Sequence, residues 1–438
     1  MSEAELCIER LCYGGAGFGR LEGKACFVPF SAPGDRVRVR IVKEKRSFLE
    51  GELLDLPIAS PLRIAPACPL FGSCGGCNWQ HLPYAEQLKQ KGEIFGDSLR
   101  RLGRVEGDCL LPVAASDLQF GYRSRIQLKL SRKGGVAALG FFKGGSHEVV
   151  DAPQGCAIAD PLLNRMSAEF RALLARLPEL AAVSQIDLAI GDDGSSVALL
   201  HLDAKDPAPL AAALAGAASE LPSVSGLFLR LGAKSRIEKV FGVESLSYAI
   251  PAGLFPGSRP MRLSFGRGGF SQVNYPQNLR LIRSVFEMAR LTGTERVLDL
   301  YCGNGNISVP IAPFVSRLLG IEGYAPSIAD AVANAAANGV TNASFQVSDA
   351  ALAVGRLAAR GERFDLVILD PPRSGAESVG EIARLAPKSI VYVSCDPPTL
   401  SRDLSLLGDK GYRVVSSQPV DMFPQTYHLE SVTLLKRL

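Results

Sequence analysis

The chain has 438 residues, 47% of them hydrophobic and 21% charged, with 44 Gly and 28 Pro. That length holds about two to four domains and that composition excludes a disordered chain, a coiled coil and collagen. No run of about 18 apolar residues occurs, so a membrane is not an expected partner. The start, Met1-Ser2-Glu3-Ala4-Glu5, lacks the basic flank and apolar run of a signal peptide, so a cytoplasmic location is expected. A net charge of +4 is too small to argue for nucleic acid by itself. Its distribution says more: residues 36–46 carry six basic residues against one Glu, and residues 89–133 carry ten basic and five acidic residues. A solvated face would explain either run as well as a nucleic-acid track.

In chain order, Val28, Val37, Val39 and Ile41 alternate with polar neighbours, which predicts a small β-barrel over the first 55 residues. Gly14-Gly15-Ala16-Gly17-Phe18-Gly19 resembles a phosphate loop, but no helical pattern follows, so a tight turn between strands is expected. Residues 57–82 are rich in Pro, Gly and Cys, and 84–103 read as a basic helix. From 120 to 265, short strands (125–130, 136–142, 184–190, 196–202, 225–230) mix with helices near 160–178 and 206–220, an α+β pattern. From about 270, strands at 296–300, 317–321, 343–347, 364–369, 389–394, 411–416 and 430–435 alternate with helices, predicting a doubly wound parallel sheet. Ligands of such sheets bind outside the carboxyl ends of the strands.

Strand 296–300 runs into Tyr301-Cys302-Gly303-Asn304-Gly305-Asn306, a glycine-rich turn that lets a cofactor approach the backbone. The next strand ends in Glu322, placed to accept hydrogen bonds from ribose hydroxyls. The pair points to an adenosine-containing cofactor without separating NAD from S-adenosylmethionine. Strand 364–369 ends in Asp370-Pro371-Pro372-Arg373, a rigid loop resembling that of methyltransferases acting on nucleic-acid bases. Amino-methyltransferases close this motif with an aromatic residue, and here Arg373 stands in that place, which weakens that reading.

Strand 389–394 ends in Ser394-Cys395-Asp396-Pro397. Cysteine in an apolar strand is usually a small core residue, but here it shares a rim with the cofactor turn. Pyrimidine carbon 5 is too weak a nucleophile to take a sulfonium methyl until a thiolate has added at carbon 6. A base must then remove the carbon-5 proton, so the chemistry needs one Cys and one general base. Glu430, in His428-Leu429-Glu430-Ser431-Val432, is a candidate base or a solvated strand end.

Together with Phe270-Ser271-Gln272-Val273-Asn274, these motifs, in this order, resemble the RNA (uracil-5)-methyltransferase family across the whole catalytic half. The resemblance implies Cys395 as nucleophile and Glu430 as base. It also implies S-adenosyl-L-methionine contacts from Gln272, Tyr301, Asn306, Glu322, Asp349 and Asp370. Tyr301 stands where many relatives have Phe, and Asp349 lies at a position that varies among them.

Cys68-x5-Cys74-x2-Cys77, with Cys156 as a distant fourth, suits structural zinc or an iron–sulfur cluster. Three clustered ligands and one remote favour [4Fe–4S] over the two close pairs usual for zinc, and the spacing is not that of radical S-adenosylmethionine enzymes. The same pattern resembles the cluster-bearing branch of the family, in which the cluster takes no part in methyl transfer. Cys7, Cys12, Cys26, Cys109 and Cys302 read as small core or strand residues. Residues 5–55 resemble the TRAM domain, an oligonucleotide/oligosaccharide-binding (OB) fold, which would let strand 36–46 track phosphates. Arg123, Arg125 and Lys129 are further candidate phosphate contacts, and the target uridine would have to flip out of its stack.

The expectation is therefore a multi-domain enzyme. Residues 1–56 form a TRAM barrel, and 57–265 an iron–sulfur loop and central α+β domain, with part of 84–122 packing on the catalytic domain. Residues 266–438 form a doubly wound α/β methyltransferase domain. The expected substrate is structured RNA, with 23S rRNA favoured over the tRNA T-loop, and no protein partner is implied. An RNA-binding factor with a vestigial site and a cluster-based redox sensor are the alternatives from other classes.

Overall fold

In the computed structural model, residues 2–438 are described except 107, 134–135, 204–205, 233–235 and 267. The N-terminal segment folds as a closed five-stranded barrel in the order β1-β2-β3-β5-β4, from β1 (Glu3–Leu11), β2 (Gly17–Leu21), β3 (Lys24–Val28), β4 (Arg36–Glu44) and β5 (Phe48–Ile58). Alternation drives it: Val37 and Val39 enter a core with Leu6, Ile8, Cys26, Val28 and Leu49, while Arg36 and Arg38 point outward. Four of the outward cations are paired in place. Arg36 pairs with Glu5, Arg38 with Asp55, Arg40 with Glu52 and Lys43 with Glu50. The run read as a phosphate track thus carries a ladder of exposed cross-strand ion pairs, each worth little on its own.

Helix α1 (Tyr84–Arg101) follows the cysteine-bearing loop. The central sheet comprises β6 (Arg125–Lys133), β7 (Val136–Phe142), β8 (Val149–Asp151), β9 (Val183–Ile190), β10 (Ser196–Leu202), β11 (Gly226–Leu231) and β12 (Ile237–Gly242), in the order β12-β11-β10-β9-β6-β7-β8. Helices α2 (Pro161–Leu174) and α3 (Ala208–Gly216) share its apolar core, through Phe170, Leu173, Leu210 and Leu214.

A hairpin of β13 (Ser245–Ile250) and β14 (Met261–Gly266) follows. Its Leu246, Tyr248, Leu263 and Phe265 lie in one apolar core with Val197, Leu199 and Phe228 of the central sheet and Val297, Leu318 and Val391 of the C-terminal sheet, so the hairpin bridges the two. Helix α4 (Tyr275–Ala289), β15 (Arg296–Leu300), α5 (Ser308–Ile311), β16 (Arg317–Glu322), α6 (Ala325–Ala337), β17 (Ala343–Val347), α7 (Ala350–Ala359), β18 (Leu366–Leu369), α8 (Val379–Ile382), β19 (Ser389–Ser394), α9 (Pro397–Gly408), β20 (Tyr412–Val420) and β21 (Glu430–Arg437) complete the chain.

Their strands lie in the order β17-β16-β15-β18-β19-β21-β20. The chain winds outward from β15 in one direction and from β18 in the other, which makes the β15/β18 junction the switch point where such sheets bind ligands. One expectation needs correction: the sheet is not wholly parallel. Strand β21 inserts antiparallel between β19 and β20, with Ser394 opposite Ser431. The C-terminal hairpin connection is too short for the crossover that a parallel neighbour requires. Among the described residues, no helix is long and apolar enough to cross a membrane.

Helix α1 is bound to the C-terminal half by a buried ion pair. Lys91 Nζ lies 2.5 Å from Asp421 Oδ1 and 3.0 Å from the Phe423 carbonyl, while the Tyr84 hydroxyl donates to Asp421 Oδ2 at 2.9 Å. Gln87 adds a reciprocal grip on Gln425, through its amide to Gln425 Oε1 and the Gln425 N–H to its own Oε1. Breaking a fully buried pair leaves one charge without a counterion. Lys91→Met is therefore expected to lower stability by about 3–5 kcal/mol in equilibrium denaturation. An unchanged denaturation midpoint would show that the pair does not anchor this helix.

Candidate active site

The carboxyl rim of the C-terminal sheet gathers the residues singled out from sequence. Leu300 pairs with Leu369 and with Ile321, so the chains leaving β15, β18 and β16 emerge side by side, carrying Tyr301, Asp370 and Glu322. Two strands further along, β21 runs backwards. Its first residue, Glu430, therefore lies at the same rim as Cys395, which leaves β19 one step beyond the Ser394–Ser431 pair.

The turn after β15 depends on backbone that few side chains tolerate. Tyr301 has φ 63° and Gly305 φ 83°, and a Cβ on Gly305 would lie 2.7 Å from Val309. Glu322 accepts from the Tyr324 N–H at 2.8 Å and lies 3.4 Å from the Gly303 N–H, which ties the acidic strand end to the turn. Asn306 exchanges hydrogen bonds with Asn278 at 2.8 and 2.9 Å and accepts from the Tyr248 hydroxyl at 2.8 Å. Gln272 is buried just before α4. Asp349 is exposed and caps α7, accepting from the Leu352 N–H at 2.9 Å, while the adjacent Ser348 N–H bonds to the Glu322 carbonyl.

Around the nucleophile candidate, charge is strongly poised. Burial pushes the Cys395 thiol up to about 12, the carboxyls of Glu430 and Asp370 add to this, and Arg373 opposes it. Burial, then Asp370, raises Glu430 well above the ordinary carboxyl range. Its Oε2 is buried without a hydrogen-bond partner. Burial raises Asp370 to about 7. In the resting protein Cys395 is thus a thiol beside carboxyl groups that hold protons easily. Asp396 caps α9, accepting from the Thr399 N–H at 2.9 Å, and Pro397 takes the first helical position.

Sequence reasoning missed four supporting contacts. Arg373 reaches His428 Nδ1 at 3.4 Å. Ser308 donates to Asp299. The Lys91–Asp421 pair anchors the segment leading to Glu430. Tyr13, in the barrel's glycine-rich turn, donates its hydroxyl to Asp396 beside Cys395. Gly15 makes that approach possible: it holds φ 89°, and a Cβ there would meet Tyr427 at 3.0 Å. The expected turn is present, but nothing in its local sequence signals what it touches.

Cys68, Cys74, Cys77 and Cys156 line one cavity of about 600 Å³, together with Arg123, Arg125 and Phe270. Burial raises the Cys74, Cys77 and Cys156 thiols, Cys77 to about 12, while Arg123 pulls all three the other way. Among the described residues no group of three or more His, Cys, Asp or Glu side chains is arranged to hold a single metal ion. Of the proposed phosphate contacts, Arg125 bonds the Gly269 carbonyl and Lys129 bonds Gln185.

Asp299 supplies a pH test of this environment. Burial raises it to about 7, so between pH about 4 and about 7 the folded chain holds a proton there that the unfolded chain has lost. Stability falls as pH rises through that window, by up to about 1.4 kcal/mol per unit of separation. Asp299→Asn, which can still accept from Ser308, is expected to flatten the dependence of Tm on pH. Parallel profiles for variant and wild type would contradict the buried carboxyl.

A family model described as tRNA (Uracil-5-)-methyltransferase matches residues 122–438, and a TRAM domain model matches residues 2–54. The chain is 35% identical to an uncharacterized RNA methyltransferase of Thermosynechococcus vestitus, covering 98% of this chain and 97% of the relative. It is 34% identical to the 23S rRNA (uracil(1939)-C(5))-methyltransferase RlmD of Aeromonas salmonicida, covering 99% and 96%. Among solved structures it resembles the Pyrococcus abyssi tRNA (uracil-54, C5)-methyltransferase in complex with S-adenosyl-L-homocysteine. That TM-score is 0.74 at 26% identity, covering 98% of this chain and 99% of the other. With that family model over residues 122–438 and relatives alike over nearly the whole length, this chain belongs to the tRNA (uracil-5-)-methyltransferase family and is an RNA uracil-5-methyltransferase with an N-terminal TRAM domain.

Proposed function

We propose that the protein uses S-adenosyl-L-methionine to methylate carbon 5 of a uridine in 23S rRNA, with Cys395 as nucleophile and Glu430 as base. The observation that supports this best is the meeting of these two side chains at one rim across antiparallel β19 and β21. The rRNA preference rests on near full-length similarity to RlmD relatives. The tRNA T-loop is the second reading, favoured by likeness to the archaeal tRNA enzyme.

When bound, S-adenosylmethionine supplies an electrophilic methyl on a sulfonium. Gln272, Tyr301, Asn306, Glu322, Asp349 and Asp370 are proposed to hold it at the β15/β18 switch point. Cys395 releases its proton to solvent, leaving Glu430 ionised, and adds its thiolate to carbon 6; the π electrons moved to carbon 5 form the bond to the methyl carbon as the methyl–sulfur bond breaks, its electron pair leaving on the neutral thioether. Glu430 takes the carbon-5 proton. The electron pair left behind restores the 5,6 double bond and expels the Cys395 thiolate. A base that must keep the proton it has taken benefits from a raised pKa, which burial and Asp370 give Glu430.

The four thiols around one cavity fit an all-sulfur donor set, and Cys68, Cys74, Cys77 and Cys156 are proposed to hold a [4Fe–4S] cluster that ties the loop to the central sheet. The division of labour proposed is RNA grip by 1–56, the cluster loop and central sheet in 57–265, and methyl transfer by 266–438. Helix α1 then serves the last of these, and the β13–β14 hairpin bridges it to the central sheet.

Mapping 5-methyluridine in ribosomal and transfer RNA with and without the gene tests the substrate. Loss at 23S rRNA sites is expected, loss confined to tRNA would select the second reading, and no loss would remove both. Cys395→Ala should abolish methylation. Glu430→Gln should still form the methylated adduct but release it at least 100-fold more slowly, as the effect of removing a general base. Rapid release by Glu430→Gln would exclude Glu430 as the base. Anaerobically purified protein should contain iron and acid-labile sulfide that Cys156→Ser loses, and wild-type protein with zinc alone would contradict the cluster.

A further inference from the structure

A cavity of about 1020 Å³ lies between the barrel and the loop that precedes α1, and the proposed chemistry does not use it. Phe27 and Phe30 line it from the barrel, Phe71 and His81 from the loop, and Tyr13 from the glycine-rich turn. The rings adjoin: Phe30 meets Phe71 edge-on at 5.3 Å, and Phe71 lies 5.5 Å from His81. Phe30 holds φ 61°, a left-handed conformation that a bulky residue keeps only where its surroundings enforce it, and such residues cluster at ligand clamps.

The charges at this cavity are already matched. Arg63 bonds Asp35 at 2.7 and 2.9 Å, and Glu50 and Glu52 pair with Lys43 and Arg40. His81 Nε2 donates to the Ser31 carbonyl at 3.2 Å, which leaves its unpartnered Nδ1 as an acceptor. A phosphate meets no unpaired cation here, whereas a flat, uncharged ring meets aromatic surface. The cavity also adjoins the catalytic rim, because Tyr13 lines it while donating its hydroxyl to Asp396, next to Cys395. OB-fold barrels hold single strands by stacking bases on such rings.

We propose that this cavity is a subsite for an unpaired nucleobase of the RNA substrate, close along the strand to the uridine presented to Cys395. The proposal rests on RNA as substrate and adds where the flanking strand is held. It gives the TRAM barrel a base-holding role beside the phosphate-tracking one read for strand β4.

The test uses the full-length protein and short RNAs carrying the unmodified target uridine, each with 2-aminopurine at one flanking position. One position should be quenched on binding. Phe30→Ala and Val42→Glu, the latter an exposed site on the cavity rim, should abolish that quenching and raise KM about tenfold with kcat little changed. Absence of a quenched position, or quenching and KM unchanged in both variants, would overturn the subsite while methylation by the wild type upheld the RNA reading. The cavity would then be left to a protein occupant. Failure of the wild type to bind or methylate any of the RNAs would overturn both.

Discussion

The reversed direction of β21 is the constraint on which the rest of the site depends. In a wholly parallel sheet, the first residue of a strand lies at the opposite edge from the last residue of its neighbour. Because β21 runs antiparallel to β19, Glu430 begins its strand where Cys395 ends the other, in the register set by Ser394 and Ser431. The two groups proposed to act in successive steps on one pyrimidine ring therefore share a rim through backbone pairing, without a flexible loop having to carry either. The segment before β21 is fixed in turn by Lys91 and Gln87 of α1, which explains why a helix distant in sequence from the catalytic motifs belongs to their support.

Burial then sets the chemistry. Asp299, Asp370, Glu430 and Cys395 all have their charged forms disfavoured, with desolvation the leading cause in each case. A cationic cofactor entering such a site would favour ionisation of these groups, so under the proposed reaction the resting thiol and the attacking thiolate are separated by a change in local charge. Arg373 is the cation that opposes the proton affinity of both Cys395 and Glu430, and a neutral aromatic ring in its place would not do so.

Much of this was legible from sequence because it is carried by local pattern. The strands of the C-terminal sheet followed from apolar runs, and Cys395, Asp370 and Glu322 sit at the carboxyl ends where the winding rule places ligands. Alternation at Val37 and Val39 gave the barrel. Contacts between distant segments were not legible. Tyr13 reaching Asp396 links positions 383 apart, and no periodicity records such a meeting. That the basic run at 36–46 carries ion pairs was not legible either, because its partners lie on β1 and β5 and become neighbours only when the barrel closes. The ladder of the β13–β14 hairpin likewise gives no sign that its apolar face will join residues of both sheets in one core.

The most direct test of the Cys395–Glu430 arrangement is a trapping experiment with substrate RNA carrying 5-fluorouridine at the target position, in the presence of S-adenosylmethionine. Fluorine replaces the proton that the base must remove, so the methylated adduct cannot collapse. Peptide mass spectrometry should find the nucleotide attached to Cys395 and nowhere else. An adduct on another residue, or methylation of unmodified RNA with no trapped complex, would contradict the account.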